Sequence, residues 1–291
     1  MNVVFVGAGQ EMLDLMKSLK PMCQRLSAIC ATAEPSFDID NKCALLSYSQ
    51  LEILQSMSLA LNSCKEQEMA SHGHVANLEL LALMCHTPTE AMTVFNQSLN
   101  TSNSVLPMSD FATDLIAITY GGETVVGAKN INDLTALPKE VFLSKDVKTS
   151  LDAVAVIEDA DLIIFGPCNP ITDLMPLLLI QDIRSAILQT TASRLFIDMP
   201  NSTSVLVNSC TSAEYLHWMK CQIGYQFFDV TISNQFSEIL QYHYQESMSI
   251  SPDDAAHNKT LGMLNTLCEV PQAVSLEAMT KARLQVTPVS Y

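Results

Sequence analysis

The sequence predicts an α/β fold: a doubly wound, Rossmann-like parallel sheet with a helical insertion and a β-hairpin, as a single domain over residues 1–291. Three observations carry that prediction. Val3–Val6 is a run of β-formers closed by Gly7-Ala8-Gly9 and followed by apolar residues at helical spacing, the opening of a βαβ unit. Leu162–Phe165 is apolar at every position, as suits a central parallel strand covered on both faces. Elsewhere strand-like and helix-like segments alternate, which right-handed crossovers wind into one sheet.

In chain order, Met12, Leu15, Met16 and Leu19 mark the buried stripe of the first helix, and Leu26–Ala31 reads as the second strand. Residues 49–104 form the insertion, with its apolar residues concentrated in Leu51–Leu61 and Leu78–Met84 and a polar loop at Asn96–Ser104. Leu115–Tyr120 and Thr124–Val126 flank Gly121-Gly122 as a hairpin. Val141–Leu143 is a further short strand and Asp152–Asp159 a helix. After Leu162–Phe165 come a helix at Pro176–Leu188, a strand at Arg194–Asp198, a helix around Ala213–Ile223 and a strand near Phe228–Ser233. The C-terminal remainder is weakly patterned, and neither a repeat nor an interdomain linker stands out.

Hydrophobic residues at 48% and charged residues at 16% are the balance of a globular chain with a sizeable core. With 31 acidic against 15 basic residues the formal net charge is −16, a field that repels nucleic acid and anionic membranes. Any phosphorylated ligand therefore needs compensation from backbone dipoles or a cation. Nine scattered cysteines, none in a CxxC pair, argue against a disulfide framework or a zinc site and predict buried thiols in a reducing cytoplasm. The opening residues lack the pattern of a signal peptide, and the apolar run Leu174–Ile180 is too short to cross a bilayer.

Ligands of open α/β sheets sit outside the carboxyl ends of the strands. Three segments should reach that edge: Gly7-Ala8-Gly9, Gly166-Pro167-Cys168-Asn169, and Asp198-Met199-Pro200-Asn201. Gly7 and Gly9 would bring backbone N–H groups to a phosphate at a helix N-terminus, although Met12 stands where a GxGxxG fingerprint has its third glycine. Other candidates read as structural. His72 and His74 are solvent-exposed histidines, Asp110 and Asp114 a solvated face, and Cys168 a packing substitute for glycine.

The stretch from Ala160 to Pro176 resembles the family of 2-phospho-L-lactate transferase and the bacterial gluconeogenesis factor (CofD/YvcK-like proteins). Ala160, Asp161, Leu162, Ile163, Gly166, Pro167, Thr172 and Pro176 match the family's "ADLIVIGPGSLYTSILP" segment without a gap. Similar echoes run through Asn77–Leu83, Val105-Leu106-Pro107 and Gly121–Ile131, so the resemblance covers most of the chain. It implies a nucleotide or nucleotide-sugar bound at the strand ends in a regulatory role, with Mg2+ as a candidate counter-ion. Gly7, Gly9, Gly166, Pro167 and Asn169 would line the cleft, Thr172 would cap the following helix, and Asp198 and Asn201 would lie opposite. The departures concern the site. The family's "GGGTG" is Gly7-Ala8-Gly9-Gln10-Glu11 here, its acidic, arginine-bearing loop has become Ala31–Asp38, and Cys168 and Leu177 replace a glycine and an asparagine. Two alternatives follow: a transferase of the 2-phospho-L-lactate type, or a degenerate homologue acting through protein contacts. The last gains if side chains such as Phe37, Met12 or Leu177 fill the crevice. The fold class also suggests a homodimer.

Overall fold

A computed structural model describes residues 1–20, 23–33, 48–61, 78–99, 102–198 and 203–232, all within one compact unit, Met1–Ser233. Six parallel strands form the main sheet in the order β3-β2-β1-β7-β8-β9. They are β1 (Asn2–Val6), β2 (Arg25–Cys30), β3 (Ser104–Pro107), β7 (Leu162–Phe165), β8 (Ser193–Ile197) and β9 (Val230–Ile232). The order reverses between β1 and β7, which lie side by side with Val6 opposite Phe165. Every residue of β7 is buried, as its unbroken apolar run requires.

Helix α1 (Gln10–Leu19) connects β1 to β2, and its Met12, Leu15, Met16 and Leu19 are all buried. Between β2 and β3 lies the helical insertion: α2 (Tyr48–Leu61), α3 (Leu78–Met84) and α4 (Pro88–Ser98). The segment expected as a polar loop from Asn96 is instead helical through Ser98, because its polar side chain is used internally. Asn96 is buried, accepts from Ser58 Oγ at 2.6 Å and donates to the Val105 carbonyl at 3.2 Å, tying the insertion to β3.

The hairpin β4 (Leu115–Ile118) and β5 (Thr124–Val126) pairs with β6 (Glu140–Leu143) as a small antiparallel sheet, followed by α6 (Leu151–Glu158). A short helix, α5 (Ala128–Asn132), follows β5. The helix expected over Pro176–Leu188 is two pieces. A π-turn at Pro170–Leu174 leads into α7 (Met175–Leu179), and extended Ile180 (φ −75°, ψ 122°) separates it from α8 (Gln181–Gln189). That break turns Leu177, Leu178, Ile183 and Ile187 all into the core. Pro176 sits in the first turn of α7, where no donor is needed.

Two further helices complete the described chain, α9 (Val205–Asn208) and α10 (Ser212–Ile223). Thr211 and Glu214 form a reciprocal capping box at the start of α10, and left-handed Gly224 ends it. Edge-to-face stacking joins Phe165, Phe196 and Phe227, with centroids 5.1 Å and 6.0 Å apart. Arg194 grips Asp229 through two nitrogens, at 3.2 Å and 2.6 Å, at the outer end of the sheet. The weakly patterned C-terminus lies outside the described residues.

Tyr225 shows how burial without a partner weakens this region. Its hydroxyl is buried and, among the described residues, has no hydrogen-bond partner. Desolvation pushes its pKa up to about 12, against the opposing pull of Arg184 and Arg194. The folded state thus holds the phenol proton more tightly than the unfolded chain does. Its contribution is intact below about pH 10 and is lost as pH rises from there to about 12. Tyr225→Phe is expected to stabilise the protein by about 1 kcal/mol at neutral pH, because it removes an unsatisfied hydroxyl. It should also flatten the alkaline loss. Denaturant midpoints across pH check both, and a destabilised phenylalanine variant would show that the hydroxyl has a partner.

Candidate functional site

The carboxyl ends of β1 and β7 place the two glycine turns on the same edge of the sheet. Gly7 N–H donates to the Ile29 carbonyl at 3.0 Å, and Gly166 N–H to the Val6 carbonyl at 3.1 Å. Both turns therefore continue the sheet ladder for one residue before the chain leaves it. Each glycine has a positive φ, +133° at Gly7 and +81° at Gly166.

What crowds them differs. A Cβ on Gly7 would lie 2.6 Å from Cys168 Sγ and 3.6 Å from Met12 Sδ. A Cβ on Gly166 would lie 2.8 Å from the Ile197 carbonyl oxygen and 3.0 Å from the Cys168 amide. The β7 turn thus presses on the end of β8, and the Cys168 thiol occupies the space that the absent Gly7 side chain leaves open. Cys168 is buried, as are Pro167, Met12 and Leu177.

Gly9, with φ 135°, is the N-cap of α1 and supplies no side-chain acceptor. The first-turn amides of α1 consequently carry the partial positive charge of a helix N-terminus without a capping oxygen from that residue.

Asn169 is 8% exposed and engaged on every polar atom of its side chain. Oδ1 accepts from the amides of Ile171 and Thr172, at 3.0 Å and 3.2 Å, so Asn169 caps the π-turn. Nδ2 donates to Asn132 Oδ1 at 2.8 Å. Thr172, expected as the cap of the following helix, lies inside the π-turn instead. Its Oγ1 accepts from Asn132 Nδ2 and donates to Asp173 Oδ1, both at 3.3 Å. The capping role passes to Asn169 because Pro170, which has no amide hydrogen, opens the turn directly after it.

Asn132 is the hub that sequence reasoning missed. Its Oδ1 also accepts from Ser204 Oγ at 2.9 Å, and Ser204 in turn caps α9. One asparagine from the small-sheet region thereby ties together the loops that follow β7 and β8. No local pattern marks it, since its partners lie 37 to 72 residues away in sequence. Asn169-Pro170, by contrast, is a readable helix-start signal.

Asp198, expected opposite the glycine turns, is buried at the end of β8 and accepts hydrogen bonds from Ser212 Oγ and Tyr215 OH on α10. Burial and the Asp198 hydrogen bond push the Tyr215 phenol well above its usual range. Asp110 is not a solvated face. It is half-buried and accepts from the Thr89 amide at 2.8 Å, in the first turn of α4. Asn201, Phe37, His72 and His74 lie outside the described residues. Among the described residues, no three His, Cys, Asp or Glu side chains stand close enough together to hold a metal ion. No helix described is long and apolar enough to cross a membrane.

A six-stranded parallel sheet whose order reverses between two glycine-ended strands defines a doubly wound α/β protein with its candidate site at the strand carboxyl ends. The chain belongs to the 2-phospho-L-lactate transferase CofD family, whose model matches residues 3–267. A relative from Pasteurella multocida is 28% identical over 246 residues, covering 79% of this chain and 80% of that protein. The gluconeogenesis factor of Bacillus subtilis is 25% identical over 283 residues, covering 90% of this chain and 88% of its own length. Among solved structures, a UPF0052 family member from Bacillus halodurans superposes with a TM-score of 0.70 at 21% identity, over 84% of both chains. That likeness confirms the fold.

Proposed function

We propose that this protein is a gluconeogenesis-factor-like binding protein that holds a nucleotide or nucleotide-sugar at the carboxyl edge of its sheet and acts as a regulator rather than through turnover. The observation that carries the reading is the pairing of the Gly7 and Gly166 turns at the strand-order reversal, with the N-terminus of α1 beside them and no capping side chain on Gly9. Backbone amides there suit an anionic group, which a chain of net charge −16 would otherwise repel. The names of the curated relatives support the regulatory side of the reading. The engagement of Asn169 and Asp198 within the fold supports recognition by backbone more than by catalytic side chains.

Thermal denaturation against a panel of nucleoside phosphates and nucleotide-sugars, with and without Mg2+, tests it. A true ligand at 100 times its Kd should stabilise the protein by about 2.7 kcal/mol. Cys168→Gly, which restores the glycine of the family segment and clears the space beside Gly7, should keep or enlarge that shift. Flat curves across the panel for parent and variant would overturn the reading. Turnover of a guanylylated phospholactate donor would place the chain in the transferase branch instead.

A further inference from the structure

Away from the sheet edge, α10 carries a pair of metal-ligating side chains that the proposed function does not use. His217 and Cys221 stand one helical turn apart, both exposed, with Nε2 and Sγ separated by 3.7 Å. We propose that they form a bidentate site for a thiophilic divalent cation of the Zn2+ type.

The spacing is the main argument. With metal bonds of about 2.3 Å to sulfur and about 2.05 Å to nitrogen, a tetrahedral angle sets the two ligand atoms about 3.6 Å apart. In the metal-free chain the 3.7 Å separation is a hydrogen-bond contact between the two side chains, and it matches that bite; the metal takes the place of the shared proton. The place of the cysteine on the helix suits a metal ion. Cys221 lies in the last turn of α10, which stops at Ile223, and the carbonyl groups there favour a cation. A thiolate paired with a divalent ion carries net positive charge and suits that end. The other charged groups of this helix are Glu214 and Lys220. The Glu214 carboxylate is held by the Thr211 amide and hydroxyl, at 2.7 Å and 2.8 Å, so it stays with the cap. Among the described residues no third ligand joins the pair, and water completes the shell. On binding, Sγ forms its metal bond as the thiol proton leaves to solvent, while Nε2 donates its lone pair with the ring proton kept on Nδ1.

Titration of the full chain with Co2+, followed by its thiolate-to-metal absorption and reversed by Zn2+, tests this directly. Cys221→Ser should remove one equivalent of that absorption relative to the parent. His217→Ala should weaken Co2+ binding by about 10–100-fold, the loss usual even for an outer-shell partner. Both side chains are exposed, so both variants should unfold at the parent's midpoint. An unchanged titration in either variant overturns the site.

Discussion

Gly166→Ala is expected to lower the unfolding free energy by about 2–5 kcal/mol, the sum of two separable costs. The first is conformational. Gly166 has φ +81°, and a Cβ in that region costs about 1–2 kcal/mol. The second is crowding. The new atom would meet the Ile197 carbonyl oxygen at 2.8 Å and the Cys168 amide at 3.0 Å, both backbone, so neither can swing aside as a side chain would. Overpacking of that kind adds about 1–3 kcal/mol. Gly122 is the matched control, with φ +84° and nothing within 4 Å of its would-be Cβ. Gly122→Ala should therefore carry the conformational cost alone, about 1–2 kcal/mol. Urea unfolding of the two variants compares them at constant chemistry. Equal losses would show that β7 and β8 relax around the extra atom, and that Gly166 is kept for its φ and not for close packing. A bulkier change such as Gly166→Val would confound any binding measurement with this loss of stability.

The architecture was legible because its signals are periodic and local. A run of β-formers closed by glycine, the wholly apolar Leu162–Phe165 and the alternation of strands with helices need no tertiary knowledge to interpret. Sequence and structure differ where a polar side chain is consumed inside the fold, and where packing overrides an apolar pattern. Asn96 looked like loop and is buried in α4 against Ser58 and β3. Ile180 looked like mid-helix and is an extended break, because the packing of two short helices outweighs the continuous apolar pattern.

The candidate site was legible as a place and not as a chemistry. The prediction that the Gly7 and Gly166 turns share an edge follows from parallel strand order alone. The partners of Asn169, Thr172 and Asp198 could not be read, since each is met by residues 14 to 40 positions away in sequence that carry no matching local pattern: Asn132, Ser212 and Tyr215. Glycine next to a ligand and glycine next to a packed thiol look the same in a sequence. At Gly7 the neighbour is Cys168.

Asn169→Ala should cost about 2–4 kcal/mol, because one side chain performs three tasks in a nearly closed space. It removes the acceptor for two amides at the head of the π-turn, a loss of up to about 2 kcal/mol for a cap. It also strands buried polar groups, each at about 1–3 kcal/mol before relaxation. Asn169→Asp separates these tasks. The new carboxylate keeps the cap, and the helix N-terminus favours its charge. It loses the donor to Asn132, whose amide can then turn over. Ser204 Oγ can turn from donor to acceptor to follow, and Thr172 Oγ1 can donate to the turned amide's oxygen at the cost of its 3.3 Å bond to Asp173 Oδ1. The aspartate variant should therefore lose less than half of what the alanine variant loses. Equal losses in denaturant unfolding would mean that the bond to Asn132, not the cap, holds the turn. Ligand binding adds a second axis, measured where both variants remain folded. If Asn169 acts only by shaping the turn, binding should return with stability in the aspartate variant. If stability returns and binding does not, the Asn169 amide itself meets the ligand, through the small fraction of its surface that the fold leaves open.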